Sequence, residues 1–361
     1  MTTNESNPTT VASTTSATGS ATTTLGATGP AVFPLGLGCM GMSALYGESD
    51  RAESIATIHA YLEAAADGTD TLLDTGDFYG MGHNELLIGE ALRTAPAALR
   101  ERALTSVKFG ALRTVEGAFT GIDGRPEAVK NFLAYSLQRL GRDHIDIYRL
   151  SRLDPDVPIE ETVGAIAEAV QAGHVRHIGL SEVGADTLRR AAAVAPIADL
   201  QIEYSLISRG IEAEILPTAR ELGMGITAYG VLSRGLISGH FSRDRRLAPG
   251  DFRGMSPRFQ GENLDRNLDL VEALRKVAQE KGVSVAQIAI AWVLAQGPRH
   301  GVDIVPVVGA RRRDRLAEAL GALEVELSAA EVAAVEAAIP AGAAAGERYP
   351  AAQMAHLDSE R

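Results

Sequence analysis

A chain of 361 residues with 45% hydrophobic content can bury one large core or two of ordinary size. Its formal net charge of −12 argues against a nucleic-acid backbone as partner, because phosphate contacts need an excess of Lys and Arg. A single cysteine, Cys39, excludes an internal disulfide framework and suits a reducing cytoplasm, and no apolar stretch approaches the ~18 residues of a membrane span.

The first 30 residues are mostly Thr, Ser, Ala and Gly, without Lys or Arg. A signal peptide would need a positive start and an apolar run, so residues 1–30 are expected to be a disordered tail. Residues 31–340 are expected to form one folded domain, and residues 341–361 a C-terminal tail. From Leu35 onward short β-type runs alternate with longer amphipathic segments. Strands are predicted to end near Gly38, Asp74, Lys108, Ser151, Ser181, Tyr204, Tyr229 and Val308. Helices are predicted over 52–66, 84–93, 126–140, 159–172, 185–195, 211–222, 268–281 and 312–320, the first capped by Ser49 or Asp50. Steps of 34 residues (Asp74 to Lys108), 43 (Lys108 to Ser151) and 30 (Ser151 to Ser181) each fit one strand–helix unit. Eight such units imply an α/β fold of the closed, all-parallel (β/α)8 type, a TIM barrel.

The string Gly36-Leu37-Gly38-Cys39-Met40-Gly41 satisfies G-x-G-x-x-G, the pattern of a dinucleotide-binding turn. A working phosphate loop must run directly into a helix, whereas Gly41 opens a turn-rich loop, so chance is the better account in a chain with 37 glycines. No tyrosine has a Lys four residues on, which excludes the Tyr-x-x-x-Lys pair. His83, His174 and His177 stand singly, so no metal site is expected.

In such a barrel, reactive side chains sit where strands hand over to loops. Asp74 and Lys108 close neighbouring strands and are natural ion-pair partners, since a Lys ending a core strand is rarely buried unpaired. Tyr79 lies five residues beyond Asp74, close enough to fold back over Lys108. Each residue alone suits a structural role. Together they suit protonation of a carbonyl oxygen, with Lys108 lowering the phenol's pKa.

These residues belong to longer strings: Gly36 to Ser43, Asp74-Thr75-Gly76-Asp77-Phe78-Tyr79-Gly80, Val107-Lys108-Phe109-Gly110, Ile178-Gly179-Leu180-Ser181-Glu182, Ala228 to Leu236, Trp292 to Gln296, and Ile304 to Gly309. In this order and spacing they resemble the aldo-keto reductase superfamily, in its bacterial, fungal and plant branch, which is also similar to potassium-channel β-subunits. The resemblance implies an NADPH-dependent carbonyl reductase with an Asp, Tyr, Lys and His tetrad. Asp74, Tyr79 and Lys108 take three places. Ser151 stands where relatives carry the histidine, and His144, seven residues earlier, is not that residue slipped by one.

A serine hydroxyl donates one hydrogen bond but has no useful pKa, and losing one donor at an oxyanion typically costs ~10²–10³ in rate. Arg149 shares strand parity with Ser151 and is expected inside the barrel, as a replacement electrophile or paired with a core acid. On the cofactor side, the resemblance implies Gly38, Cys39, Met40 and Asp74 near the nicotinamide. Ser181, Glu182 and Gln201 would hold its carboxamide, and Tyr229 would stack on its ring. Gly230, Val231, Leu232, Ser233, Gly235 and Leu236 would wrap the pyrophosphate. Val308, Gly309, Ala310, Arg311, Arg315 and Glu318 would meet the adenosine end, with Arg311 and Arg315 on one helix face forking onto a 2′-phosphate.

The expected substrate is a small carbonyl compound, walled by loops 41–50, 113–125 and 238–263 with Tyr46, Phe78 and Phe252 as linings. Oligomeric state stays open. So do two other activities: an NADPH-binding sensor or docking protein, which the missing histidine favours, and reduction of an activated carbon–carbon double bond.

Overall fold

The computed structural model describes residues 22–43, 45–65 and 68–360. Eight parallel strands close into a barrel: β1 (Gly36–Gly38), β2 (Thr71–Gly76), β3 (Ala103–Phe109), β4 (Ile145–Leu150), β5 (Val175–Ser181), β6 (Ile197–Glu203), β7 (Gly225–Tyr229) and β8 (Ile304–Gly309). They pair in chain order, and β8 closes onto β1 with Val307 opposite Gly36 and Val308 opposite Leu37. This is the (β/α)8 barrel expected from the alternation of strand and helix patterns.

Six helices follow the first six strands: α1 (Arg51–Ala64), α2 (His83–Thr94), α3 (Pro126–Leu140), α4 (Ile159–Gln171), α5 (Ala185–Ala192) and α6 (Ile215–Glu221). Asp50 caps α1 by accepting from Glu53 N at 2.7 Å. Beyond β7 the chain forms α7 (Gly261–Lys281) and α8 (Val285–His300). The helix over 268–281 is therefore only part of α7. The helix running directly into β8 is α8, which the periodicity did not mark. Its start carries a reciprocal capping box between Ser284 and Gln287. After β8 come α9 (Arg313–Leu320) and α10 (Ala329–Ala338).

Both chain ends correct the expectation of tails. Residues 1–21 lie outside the described residues, but Thr23–Thr24 pairs antiparallel with Ala31–Val32. This hairpin is held by burial: Leu25 and Val32 join Leu72, Ile147 and Val305 in a second apolar cluster inside the barrel's N-terminal end. Gly26 fits because a Cβ there would lie 2.5 Å from Gly223 O and Gly225 N. At the other end, residues 346–360 fold back over the C-terminal mouth, where Arg348 and Tyr349 are buried.

Above the apolar floor the interior is polar and charge-balanced. Arg149 is fully buried and donates to both oxygens of Asp199 at 2.8 and 2.9 Å, while Thr227 also donates to Asp199. Buried charges persist only when paired in this way. Gly179, between them on β5, leaves the space: a Cβ there would meet Arg149 Nε and Asp199 Oδ1, each at 2.6 Å.

Candidate active site

The strand register brings the candidate residues together at the C-terminal mouth. Gly38 pairs with Asp74, Asp74 with Ser106, and Lys108 with both Gly76 and Arg149. Lys108 Nζ donates to Asp74 Oδ2 at 2.6 Å, and both residues are buried. Asp74 Oδ1 accepts from Ser106 at 2.9 Å and Gln201 Nε2 at 2.7 Å, so the carboxylate is held by three donors from two strands, β3 and β6. Arg149 NH1 lies 3.8 Å from the same oxygen. Its principal bonds go to Asp199, so the core-acid alternative for Arg149 is the one the structure contains.

Tyr79 folds back as the spacing implies, with Lys108 Nζ 5.2 Å from its ring centroid and Phe78 packed edge-on at 4.8 Å. Asn84, which the sequence reading passed over, braces this corner. Its amide donates to Cys39 O and Ser43 Oγ, both at 2.8 Å, and its oxygen accepts from Thr75 at 2.6 Å. It shares the first turn of α2 with Glu85, which is also buried and is paired with Arg139.

The expectation that Lys108 lowers the Tyr79 pKa is corrected. Burial pushes the phenol well above its ordinary value, Asp74 adds to the rise, and Arg152 acts in the opposite direction. The physical reason is that burial penalises the phenolate and the strongest charge at the ring is the Asp74 carboxylate, which also opposes ionisation. Burial also lowers the Lys108 pKa, against the upward pull of Asp74. Tyr79 is thus a protonated phenol across the neutral range.

Ser151 and Ser181 each carry a buried hydroxyl oxygen without a hydrogen-bond partner among the described residues. Buried polar atoms are normally satisfied, so unmet capacity beside a mouth fits a bound ligand. Glu182 does not take its expected place. Its carboxylate accepts from Arg348 at 3.1 and 2.9 Å, Tyr229 Oη at 2.7 Å, Ser359 at 2.6 Å and Glu203 N at 2.9 Å, so it is committed before any carboxamide arrives. Arg348 and the other cations hold its pKa well below the usual carboxylate range despite burial. Tyr229 is drawn into the same network and also meets Tyr349 Oη at 2.9 Å.

After β7, Gly230, Ser233, Arg234 and Gly235 have φ of +67°, +44°, +57° and +91°. These left-handed residues make a tight turn in which Ser233 N–H donates to Gly230 O at 2.6 Å and Gly235 N–H to Leu232 O at 2.9 Å. The hydroxyl of Ser233 is buried and unpartnered, and Val231 and Leu236 anchor the loop in the core. Leu232 packs against that core partly buried.

At the barrel's closing edge the pairing of Arg311 with Arg315 on one helix face is corrected. Helix α9 begins at Arg313, so Arg311 precedes it and donates to the carbonyls of Tyr46, Gly47 and Glu48 at 3.2, 3.4 and 3.1 Å. Arg315 bonds His240 at 2.6 Å and Glu318 at 3.0 Å. Burial first, and then Arg253, Arg245 and Arg312, depress the Arg311 pKa, against Asp251. Arg245 belongs to the stretch Arg243–Arg246, which the sequence offers either as a contact for a polar or acidic substrate or as a clamp on the pyrophosphate, whereas Arg253, 58 positions from Arg311, carries no sequence signal of its own.

The substrate-lining candidates divide into two groups. Tyr46 lies under Arg253, whose guanidinium carbon is 5.2 Å from the ring, and burial raises its phenol to about 12. Phe252 is tied to the same loop by its N–H to Leu45 O at 3.1 Å and faces Tyr349 at 6.2 Å. Phe78 stands apart beside Tyr79 and Arg113.

The model of the Aldo/keto reductase family matches residues 34–340. A probable aldo-keto reductase 1 from Glycine max is 40% identical over 325 residues, covering 90% of each chain. Among solved structures, the glycerol dehydrogenase of Gluconobacter oxydans superposes with a TM-score of 0.77 at 28% identity, over 88% of this chain and 94% of its own. The holo form of an aldo-keto reductase from Bacillus halodurans gives 0.69 at 26% identity, over 89% and 97%.

Proposed function

Because the chain belongs to the aldo/keto reductase family, and is therefore an oxidoreductase of carbonyl compounds, we propose that it is an NADPH-dependent reductase of an aldehyde or ketone with Tyr79 as the proton donor. When bound, the nicotinamide supplies the hydride that reaches the carbonyl carbon. Tyr79 gives its phenolic proton to the carbonyl oxygen, and the resulting phenolate recovers a proton from water. Asp74 and Lys108 hold the floor beneath Tyr79 as a neutral, rigid pair, and Ser151 adds a hydroxyl in place of the family's imidazole.

The residues present suit the cofactor in three places. The unpartnered hydroxyl of Ser181 fits its carboxamide, with Gln201 alongside. The buried Ser233 hydroxyl, without a partner among the described residues, suits its pyrophosphate in the tight turn at 230–235. Arg245, Arg253 and Arg311, gathered with one carboxylate, Asp251, suit the extra phosphate that distinguishes NADPH from NADH. Glu182 takes no part in this reading.

The observation that carries the proposal is the buried Asp74–Lys108 pair at 2.6 Å under a protonated Tyr79. A sensor needs none of the three. Tyr79→Phe should lower kcat by about 10²-fold or more, while NADPH affinity in a fluorescence titration changes little. Retention of most of the wild-type rate would move the acid elsewhere.

A further inference from the structure

Several arginines of this protein meet carboxylates in one recurrent way. Arg125, Arg190, Arg209, Arg253 and Arg313 each set the Nε/NH2 edge of the guanidinium on a single carboxylate, Asp123, Glu160, Glu212, Asp251 and Glu53 respectively. That edge is the planar fork that matches a carboxylate with two parallel hydrogen bonds.

Arg152 makes no such pair. It follows Ser151 in the bend after β4, where strand alternation stops. Its NH1 donates to Ser151 O at 2.6 Å, and on the other edge NH2 makes one long contact, 3.4 Å, to Tyr349 Oη. No carboxylate of the described residues lies within ion-pair distance of it. The side chain is only partly exposed, and Tyr79, Tyr229 and Glu182 all feel its charge. Glu182 acts on its charge from further off, but that carboxylate is itself engaged by both NH groups of Arg348 at 3.1 and 2.9 Å. A partly buried fork offered to a lone hydroxyl beside the proton donor is a seat for an anion.

We propose that Arg152 receives a carboxylate next to the carbonyl of the substrate, so that the enzyme's substrates are 2-oxo acids. This rests on the reductase reading above. The carboxylate displaces the Tyr349 hydroxyl and takes the Nε/NH2 edge of Arg152. The adjacent carbonyl then presents its oxygen to Tyr79 and Ser151. Hydride adds to C2 and the Tyr79 proton to its oxygen, giving a 2-hydroxy acid, while NADPH becomes NADP⁺ and the carboxylate is unchanged. The role differs from that of the missing histidine. Arg152 holds the neighbouring group in place, and the oxygen that accepts the proton is left to the hydroxyls.

The test uses phenylglyoxylate and its methyl ester, which share one ketone and differ in charge. Wild-type kcat/KM should favour the acid by about 10-fold or more, as expected for charge-assisted bonds. Arg152→Met should bring the acid-to-ester ratio near one, and Arg152→Lys, which keeps charge without the fork, should retain only part of the preference. A wild-type preference for the ester, or a ratio that survives in Arg152→Met, would overturn the assignment. If neither compound were reduced the reductase reading would fail instead. Phenylglyoxylate binding, followed by tryptophan fluorescence, would still decide the anion seat. Binding weakened about 10-fold or more in Arg152→Met supports it, and equal or absent binding in the wild type refutes it.

Discussion

Asp77 is a carboxyl group in the wrong environment. It is buried, its oxygens meet no side-chain donor among the described residues, and Arg139 bonds instead to Glu85 Oε2 at 2.7 Å and to the Asp77 carbonyl at 3.4 Å, so only the backbone N–H groups of Gly110 and Phe78 and the field of Arg139 favour the charged form. Burial first, and then Glu85, raise its pKa to about 8. An unfolded Asp titrates near ~4. Between those values the folded protein keeps a proton that the unfolded chain gives up, so unfolding releases a proton and stability falls as pH rises. The slope is about 1.4 kcal/mol per pH unit, or about 2.7 kcal/mol from pH 5 to pH 7. Asp77→Asn keeps the shape and removes the titration. Urea unfolding at pH 5, 6 and 7 should therefore show the variant gaining on the wild type by about that amount, with the two profiles converging in slope below pH ~4. Parallel profiles across pH 5 to 7 would show that Asp77 ionises normally, and the argument from its burial would fail.

Gly179→Ala drives a methyl group into Arg149 Nε and Asp199 Oδ1 at 2.6 Å and Ile147 Cγ2 at 3.0 Å. Parting a buried ion pair costs about 3–5 kcal/mol, so the melting temperature should drop by roughly 4–7 °C; an unchanged one would mean the interior has slack. Arg348→Met strips Glu182 of its bidentate partner inside the mouth. Chemical unfolding should report a loss of about 3 kcal/mol or more, and a loss under 1 kcal/mol would show that Ser359 and Tyr229 hold Glu182 unaided.

What could be read in advance was what is local. Asp74, Lys108, Ser181 and Tyr229 each end a β-type run, so strand number, spacing and the facing of the site followed from the alternation of strand and helix patterns. Helix α8 escaped because it is buried nearly all round, from Val285 through Val293, and a helix without a polar face has no amphipathic period. The N-terminal hairpin escaped because two-residue strands in a Thr-rich segment leave no pattern; Leu25 and Val32 earn their place only by filling a floor made of distant strands. The role of Glu182 depended on Arg348, 166 residues away, and that of Arg311 on the carbonyls of Tyr46 to Glu48. In each case the deciding partner is remote in the chain, and composition around the residue says nothing about it.

Leu25 and Val32, both fully buried against Leu72, Ile147 and Val305, make the barrel a well with one opening. Any proton that leaves Tyr79 must be replaced through the mouth, along the route by which small molecules come and go. Recharging the acid and emptying the site are therefore successive uses of one doorway. The segment carrying Arg348 and Tyr349 stands in that doorway, tied to Glu182 and Tyr229.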